Sequence, residues 1–294
     1  MMKKKCAIII GSGGQLGTAL IDASTAFGYT IIAYDKTELD ITDSDSLHRR
    51  IDEIAPHVVI NASAYHVLRD CEDHPDMAYA VNALAVSALA SICRQKGIRF
   101  VTYSTDYVFD GTKGSPYTED DHPRPLQVYG ASKVAGEYGA QHTYAQGTLI
   151  VRTCGLYGGI KGSPMKGGNF VINILKEAKG KEYIKVSGDQ IVSPTSGRDL
   201  AYATYELLDH ESAVGIYHLV NEGMCSWYEF AEEIFRIAGV ATRVLPVARG
   251  QEKASTAPAR PAFSALTNTR AKALGITLPA WQKSVAHYLH EIML

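Results

Sequence analysis

Cys6-Ala7-Ile8-Ile9-Ile10-Gly11-Ser12-Gly13-Gly14-Gln15-Leu16-Gly17 is the stretch on which the fold turns. Its first five residues form a continuous apolar run, the pattern of a strand buried on both faces. Glycines follow at 11, 14 and 17, and a helical pattern runs on from Leu16 to Phe27. In a strand–glycine–helix unit the first glycine permits the tight turn. The second lets the backbone approach a pyrophosphate, and the third lets helix pack on strand. Free N–H groups and the helix dipole favour an anion there. The unit therefore predicts a dinucleotide site at Gly11, Gly14, Gln15, Leu16 and Gly17. A purely structural glycine turn explains less, because a second strand, Thr30 to Tyr34, ends at Asp35, 24 residues after Gly11. A carboxylate there suits a ribose 2′-hydroxyl and argues for NAD. Lys36 beside it suits the 2′-phosphate of NADP, so both cofactors stay open.

Outward from this unit the alternation continues. Ser44 to Ile54 reads as a helix, His57 to Asn61 as a third strand, Ala78 to Lys96 as a long helix, and Arg99 to Tyr103 as a fourth strand. Tyr129 opens a helix continued by Val134 to Ala145, and Thr148 to Arg152 is a fifth strand. This is the order of an α/β, doubly wound, Rossmann-type parallel sheet. Past Arg152 the texture changes. Gly158 to Gly168 reads as a mobile loop. Helices are predicted at Phe170 to Ala178, Gly197 to His210, Ser226 to Ala238 and Trp281 to Leu294. Strands are predicted at Tyr183 to Val186 and at Gly215 to Val220, the latter returning to the main sheet. Ala248 to Phe263 is expected to lie irregularly over a cleft. We expect a dinucleotide-binding domain at 1–152, completed by parts of 187–222, and a smaller, mainly substrate-binding C-terminal lobe at 153–294.

Composition narrows the function classes. The chain has 294 residues, 46% hydrophobic and 20% charged, with a net charge of −2. Those values suit a soluble enzyme and give no basic face for nucleic acid. The five cysteines are scattered and odd in number, as expected of reduced thiols in a cytoplasmic protein. No apolar stretch reads as long enough to cross a membrane, and no His/Cys/carboxylate set has zinc spacing.

Chemistry enters with Tyr129-Gly130-Ala131-Ser132-Lys133. Tyr129 and Lys133, four apart, share a helix face. An ammonium beside a phenol is expected to lower its pKa, which suits proton transfer to an oxygen while a hydride moves on carbon. Ser104 and Thr105, at the end of the fourth strand, supply a hydroxyl to hold that oxygen. In a parallel sheet, ligands lie at the carboxyl ends of the strands. Small residues there, Ala62, Ser63, Ala64 with Tyr65, and Ser104, let a cofactor lie flat; ordinary turn composition is the plain alternative. Asn82 lies mid-helix, a poor place for asparagine, and reads either as a polar anchor of the site or as solvated surface. His66, Arg69, Asp70 and Glu72 read as a solvated loop rather than a metal site. Ser104 and Thr105 lack a hydrolase elbow.

With these residues in hand the chain resembles the extended short-chain dehydrogenase/reductases, and within them the dTDP-4-dehydrorhamnose reductase family. The segments that carry the resemblance span nearly the full length. They are the glycine loop, Leu39 to Asp43, Ser104 to Gly111, Tyr129 to Lys133 with Gly136-Glu137, Val151 to Thr153, Gly168 to Val171, Asp189-Gln190 with Ser193-Pro194-Thr195, Gly215 to His218, Ser226 to Tyr228 with Phe230-Ala231, and Arg260-Pro261 with Ser264. The resemblance implies a triad of Thr105, Tyr129 and Lys133, and cofactor contacts at Asp40, Ile41, Asn82, Tyr129 and Lys133. It implies a nucleotide-sugar substrate at Thr105, Asp106, Tyr107, Asn169, Phe170, Gln190 and Arg260, the last as a clamp on the pyrophosphate. The implied reaction is NAD(P)H-dependent reduction of a C4 ketone, dTDP-4-dehydro-L-rhamnose to dTDP-L-rhamnose. Alternatives are a reductase or epimerase of another nucleotide deoxysugar, or a cofactor-bound non-catalytic regulatory subunit. A homodimer is left open. Two positions depart from the family: Gly155 stands where a tryptophan is usual, and Leu68-Arg69 replaces Val-Asp. Both touch the sugar side.

Overall fold

The structure, a computed structural model, describes residues 5–160, 162, 165, 167–248 and 258–294. Strand β1 (Lys5–Ile10) is followed by helix α1 (Gln15–Ser24), strand β2 (Tyr29–Tyr34), helix α2 (Ser44–Ile54), and strands β3 (Val58–Asn61), β4 (Arg99–Thr105) and β5 (Thr148–Thr153). Together with Gly215–His218 these strands make one six-stranded sheet, in the order Gly215–His218, β5, β4, β3, β1, β2. Every pairing in it is parallel.

Period-two alternation divides the sheet's residues between two cores. Ala7, Ile9, Val58, Ile60, Val101 and Val151 pack with Leu20 of α1 and with Leu200 and Tyr205 of the Gly197–Asp209 helix. Ile8, Ile10, Val59, Phe100 and Ile150 pack with Leu47 and Ile51 of α2 and with Val86 and Leu89. The continuous apolar runs of the strands thus serve two layers of helices, as expected of a doubly wound sheet. A third core joins Tyr157, Val171, Ile174, Phe230, Ile234, Trp281, Val285 and Tyr288 from the second half of the chain.

Several expected segments differ in detail. The long helix begins at Pro75 and runs to Lys96, with a π turn at Ala80–Leu84. By length and composition it is a membrane-span candidate, contrary to the sequence expectation, but half of that stretch is buried inside the protein. It packs on the sheet through Val86, Leu89 and Cys93, so it is a core helix. A short helix, Leu68–Asp73, and a strand, Arg243–Val247, which pairs with Tyr183–Ser187, were not expected. The expected irregular stretch at 248–263 lies partly outside the described residues, as does the loop at 158–168.

Candidate active site

Strand order reverses between β1 and β3, and the glycine loop meets the segment after β3 at that switch. Gly11 has φ +87°, and a Cβ on it would lie 2.7 Å from Ser63 N. A Cβ on Gly17 would lie 2.3 Å from Gly11 O. Glycine is therefore required by contact as well as by dihedral. The amides of Gly11 and Ser12 both donate to Tyr34 O, at 2.9 and 3.0 Å. Gly14, just ahead of α1, leaves the helix amino end without a side-chain cap, open to an anion. Leu16 and Ile41 are buried in the cores. Ser104 Oγ and Gln15 Oε1 are buried without a hydrogen-bond partner. A backbone cradle with the orphaned Gln15 Oε1 at its edge fits a dinucleotide.

Asp35 borders this cradle; a Cβ on Gly13 would lie 3.7 Å from its own Cβ. Its Oδ1 accepts from Thr37 N, Thr37 Oγ1 and Glu38 N at 2.8, 2.6 and 3.1 Å. Those hydrogen bonds hold its carboxyl below the ordinary range. Asp40 is likewise held low by Thr42, whose N and Oγ1 donate at 2.9 and 2.7 Å. Lys36 is exposed.

The hydroxyl and the phenol meet at the carboxyl end of β4. The Thr105 hydroxyl lies beside the Tyr129 phenol, close enough to favour its ionised form. Tyr129 lies in the first turn of the Val128–Tyr144 helix. Gln127 caps that turn, accepting from Gly130 N at 3.1 Å, and Val128 N donates to Glu72 Oε1 at 2.9 Å. The helix approaches the π turn closely: a Cβ on Gly136 would lie 2.1 Å from Asn82 O. Asn82 Nδ2 donates to Tyr65 O at 2.8 Å and to Ser132 Oγ at 3.0 Å, while its Oδ1 accepts from Tyr65 N at 2.9 Å. Of the two readings of Asn82, solvated surface is excluded. It is 1% exposed and ties the loop after β3, with Ala62, Ser63, Ala64 and Tyr65, to the helix of Tyr129.

The electrostatics correct one expectation. Burial pushes the Tyr129 phenol well above its ordinary pKa, opposed by the neighbouring Thr105 hydroxyl, and Lys133 is not among the causes. Desolvation wins over the expected lowering. Burial also acts on Lys133, whose ammonium is pushed down to about 8 against the opposing charge of Glu137. The phenol thus stands protonated, as a donor requires.

Asp106 follows the pair. Its Oδ1 accepts from Thr105 Oγ1 at 3.0 Å and its Oδ2 accepts from Cys154 Sγ at 3.1 Å, while Cys154 Sγ lies 3.9 Å from Ser264 Oγ. Burial raises its carboxyl pKa against those donors. Tyr107 lies edge-on to Tyr129, ring centres 6.2 Å apart. The charge of Arg260 favours the Tyr107 phenolate, so this distant arginine stands near the cluster.

The RmlD substrate binding domain family matches residues 5–294. The spore coat polysaccharide biosynthesis protein SpsK of Bacillus subtilis is 37% identical over 97% of this chain and 96% of its own. A dTDP-4-dehydrorhamnose reductase of Burkholderia thailandensis is 34% identical over 97% and 98%. The chain belongs to the dTDP-4-dehydrorhamnose reductase family. The crystal structure of the Bacillus anthracis dTDP-4-dehydrorhamnose reductase, in complex with NADP, is 36% identical, with a TM-score of 0.90 over 98% of this chain and 100% of that one.

In this member of the family, three of the expected substrate residues are engaged by the C-terminal lobe itself. Asn169 Oδ1 caps the Phe170–Ala178 helix through Ile172 N at 3.1 Å, and its Nδ2 donates to Gly158 O and Tyr288 Oη at 3.2 and 2.7 Å. Phe170 packs on Trp227, ring centres 4.5 Å apart. Gln190 is 4% exposed, and its backbone carbonyl accepts from Trp227 N at 3.3 Å. At the departures, Gly155 has φ +56°, and a Cβ on it would lie 3.5 Å from the Trp227 ring. Arg69 pairs with Asp73 at 3.2 Å on the surface. Sequence reasoning missed Gln127 and Cys154 as site neighbours, and read Glu72 as part of a solvated loop; Arg152 was named only within a family segment. For Glu137 and Ser264 the only signal was their place in the family segments.

Proposed function

We propose that the chain reduces the C4 ketone of a nucleotide sugar with NAD(P)H, converting dTDP-4-dehydro-L-rhamnose to dTDP-L-rhamnose. The observation that carries this reading is the Tyr129 phenol set beside the Thr105 hydroxyl at the end of β4, one helical turn from the buried Lys133. The family relatives that bear the reductase name, and the NADP in the Bacillus anthracis structure, support it. Gly11, Gly14 and the open end of α1 hold the pyrophosphate, Asp35 the ribose, and Ser104 and Lys133 the nicotinamide end. A reduced nicotinamide bound there supplies a hydride to the sugar C4. Thr105 Oγ1 holds the C4 oxygen, and Tyr129 Oη gives it a proton as charge develops. Lys133 stabilises the phenolate left behind. Arg260 clamps the sugar nucleotide's pyrophosphate at the rim, where a guanidinium fork matches phosphate. The main sheet through residue 152, completed by parts of 187–222, serves the cofactor, and the lobe from 153 onward serves mainly the sugar. The free cysteines, four of them buried, support a cytoplasmic setting.

A reductase of a different deoxysugar is the second reading. It is favoured by Gly155, which removes a side chain beside Trp227. The test is incubation with dTDP-4-dehydro-L-rhamnose and NADPH, following cofactor absorbance and assigning the C4 stereochemistry of the product by NMR. Steady oxidation with the L-rhamno product is expected. No turnover with this sugar, or an epimeric product, overturns the sugar assignment; no cofactor oxidation with any of a panel of 4-keto nucleotide deoxysugars overturns the enzyme reading.

A further inference from the structure

Behind Lys133 lies a second, fully buried ion pair that the reaction as described does not use. Arg152 is 1% exposed and Glu137 4%. Arg152 donates from Nε to Glu137 Oε1 at 2.9 Å and from its terminal nitrogen to Oε2 at 2.6 Å. The guanidinium also lies over the Phe109 ring, 5.2 Å from its centre. Such a pair is expensive to desolvate, and apolar residues of equal volume often serve the fold better. Its position accounts for its presence. Glu137 is one helical turn beyond Lys133 on the same face. Both border one tight internal gap, together with Ser104, Thr102 and Asn82. Arg152 sits on β5 in register with Ser104, directly below the catalytic end of β4.

We propose that the Glu137–Arg152 pair is a positioning device for the catalytic helix: Glu137 keeps Lys133 in its ammonium form, and Arg152 fixes Glu137 for that task. The proposal rests on the roles of Tyr129 and Lys133 proposed above. A carboxylate without Arg152 would bond Lys133 directly and draw it down the helix, away from Tyr129. The fork occupies both oxygens, so Lys133 feels the charge without being captured. Burial lowers the pKa of Lys133, and the charge of Glu137 opposes that. The other titratable groups around this end, among the described residues, are Tyr129 on the same helix, Tyr103 on the gap wall, Arg152 on β5, His218, on which the Arg152 charge acts, and Asp106, Cys71 and Tyr107, whose charges act on Tyr129. The Pro75–Lys96 helix brings only neutral Asn82 and Val86 to the gap among the described residues.

The test is the pH profile of kcat for wild type, Glu137→Gln and the double variant Glu137→Gln/Arg152→Met. The double variant removes both buried charges and is the one expected to fold well. Loss of the carboxylate should let Lys133 deprotonate earlier. The alkaline fall in kcat then moves down by about one pH unit, so that activity near pH 8.5 relative to pH 6 drops about tenfold. An alkaline limb at the wild-type position in the double variant overturns the proposal, whatever happens to stability or to overall rate. Tyr129→Phe is run alongside. If that variant keeps full turnover, the triad reading itself fails. If it is dead while the limb stays fixed, only the role of the pair fails.

Discussion

The two ends of the crevice are built from different materials. The cofactor end is made of backbone: Gly11 and Gly17 sit against main-chain atoms, and Gly11 and Ser12 share the Tyr34 carbonyl. Its parts are consecutive or come from neighbouring strands. The sugar end is made of side chains from distant segments. Asp106 gathers Thr105 next to it, Cys154 from beyond β5, and Ser264 from near the end of the chain. A backbone cradle tolerates side-chain change so long as glycine stays where contact demands it. A side-chain network fails member by member, because each removal leaves a buried partner unsatisfied.

The largest effect that would sharpen this contrast is expected at the side-chain end. Tyr129→Phe should lower kcat by roughly 10²–10⁴, the usual worth of a general acid, while NADPH affinity, measured by fluorescence titration, stays at the wild-type value. A loss of cofactor affinity of similar size would erase the division between the two ends. Next comes stability against pH. His218 is fully buried near Arg152, and burial pushes it from 6.5 down to about 3. The unfolded chain binds a proton in that window and the folded one does not. Stability is therefore retained above about pH 6.5 and lost as pH falls toward 3, by roughly 1.4 kcal/mol per unit. Urea unfolding of His218→Gln should show a flatter acid limb than wild type; identical limbs would mean that other groups govern it.

A smaller effect is expected at Arg260, which is exposed. Arg260→Ala should raise the KM for the sugar nucleotide about tenfold to a hundredfold, the worth of one hydrogen bond to a charged group, and leave cofactor affinity alone. Unaltered sugar-nucleotide binding would remove it from the substrate end. The smallest lies at the cradle's rim. Asp35→Ala should weaken NADH more than NADPH, changing their ratio a few-fold, since repulsion of a 2′-phosphate disappears with the carboxylate. Equal weakening of both would place the ribose elsewhere.

The same contrast explains what was legible beforehand. Ile8 to Gly17 state strand, turn and helix in consecutive residues, so the sheet and its cradle follow from local pattern. Helices such as Ser44–Ile54 and Phe170–Ala178 were readable to the residue. The gathering of Cys154 and Ser264 on Asp106 was not, because they lie 48 and more residues from it and their types, Cys and Ser, carry no periodic signal. Asn82 looked misplaced in a helix because its π turn, held through Tyr65 and Ser132, is a tertiary effect. The direction of the Tyr129 shift was misjudged because residue spacing reports the neighbouring charge and says nothing of how much water burial removes. Paired strands as short as Leu156–Tyr157 and Thr195–Ser196 hold two residues each, too few for an alternation to be seen.

The sixth strand of the sheet, Gly215–His218, pairs with β5 only after the chain has made a long excursion. During synthesis, then, β5 is complete well before its outer partner exists, and its edge stays unpaired until the Gly197–Asp209 helix has also been made. A fragment stopped near residue 152 would keep that edge for good, a template for another strand. Cutting this protein into a cofactor half and a sugar half should therefore yield an aggregation-prone first half, and a longer fragment that retains residues through 218 should be the better-behaved one.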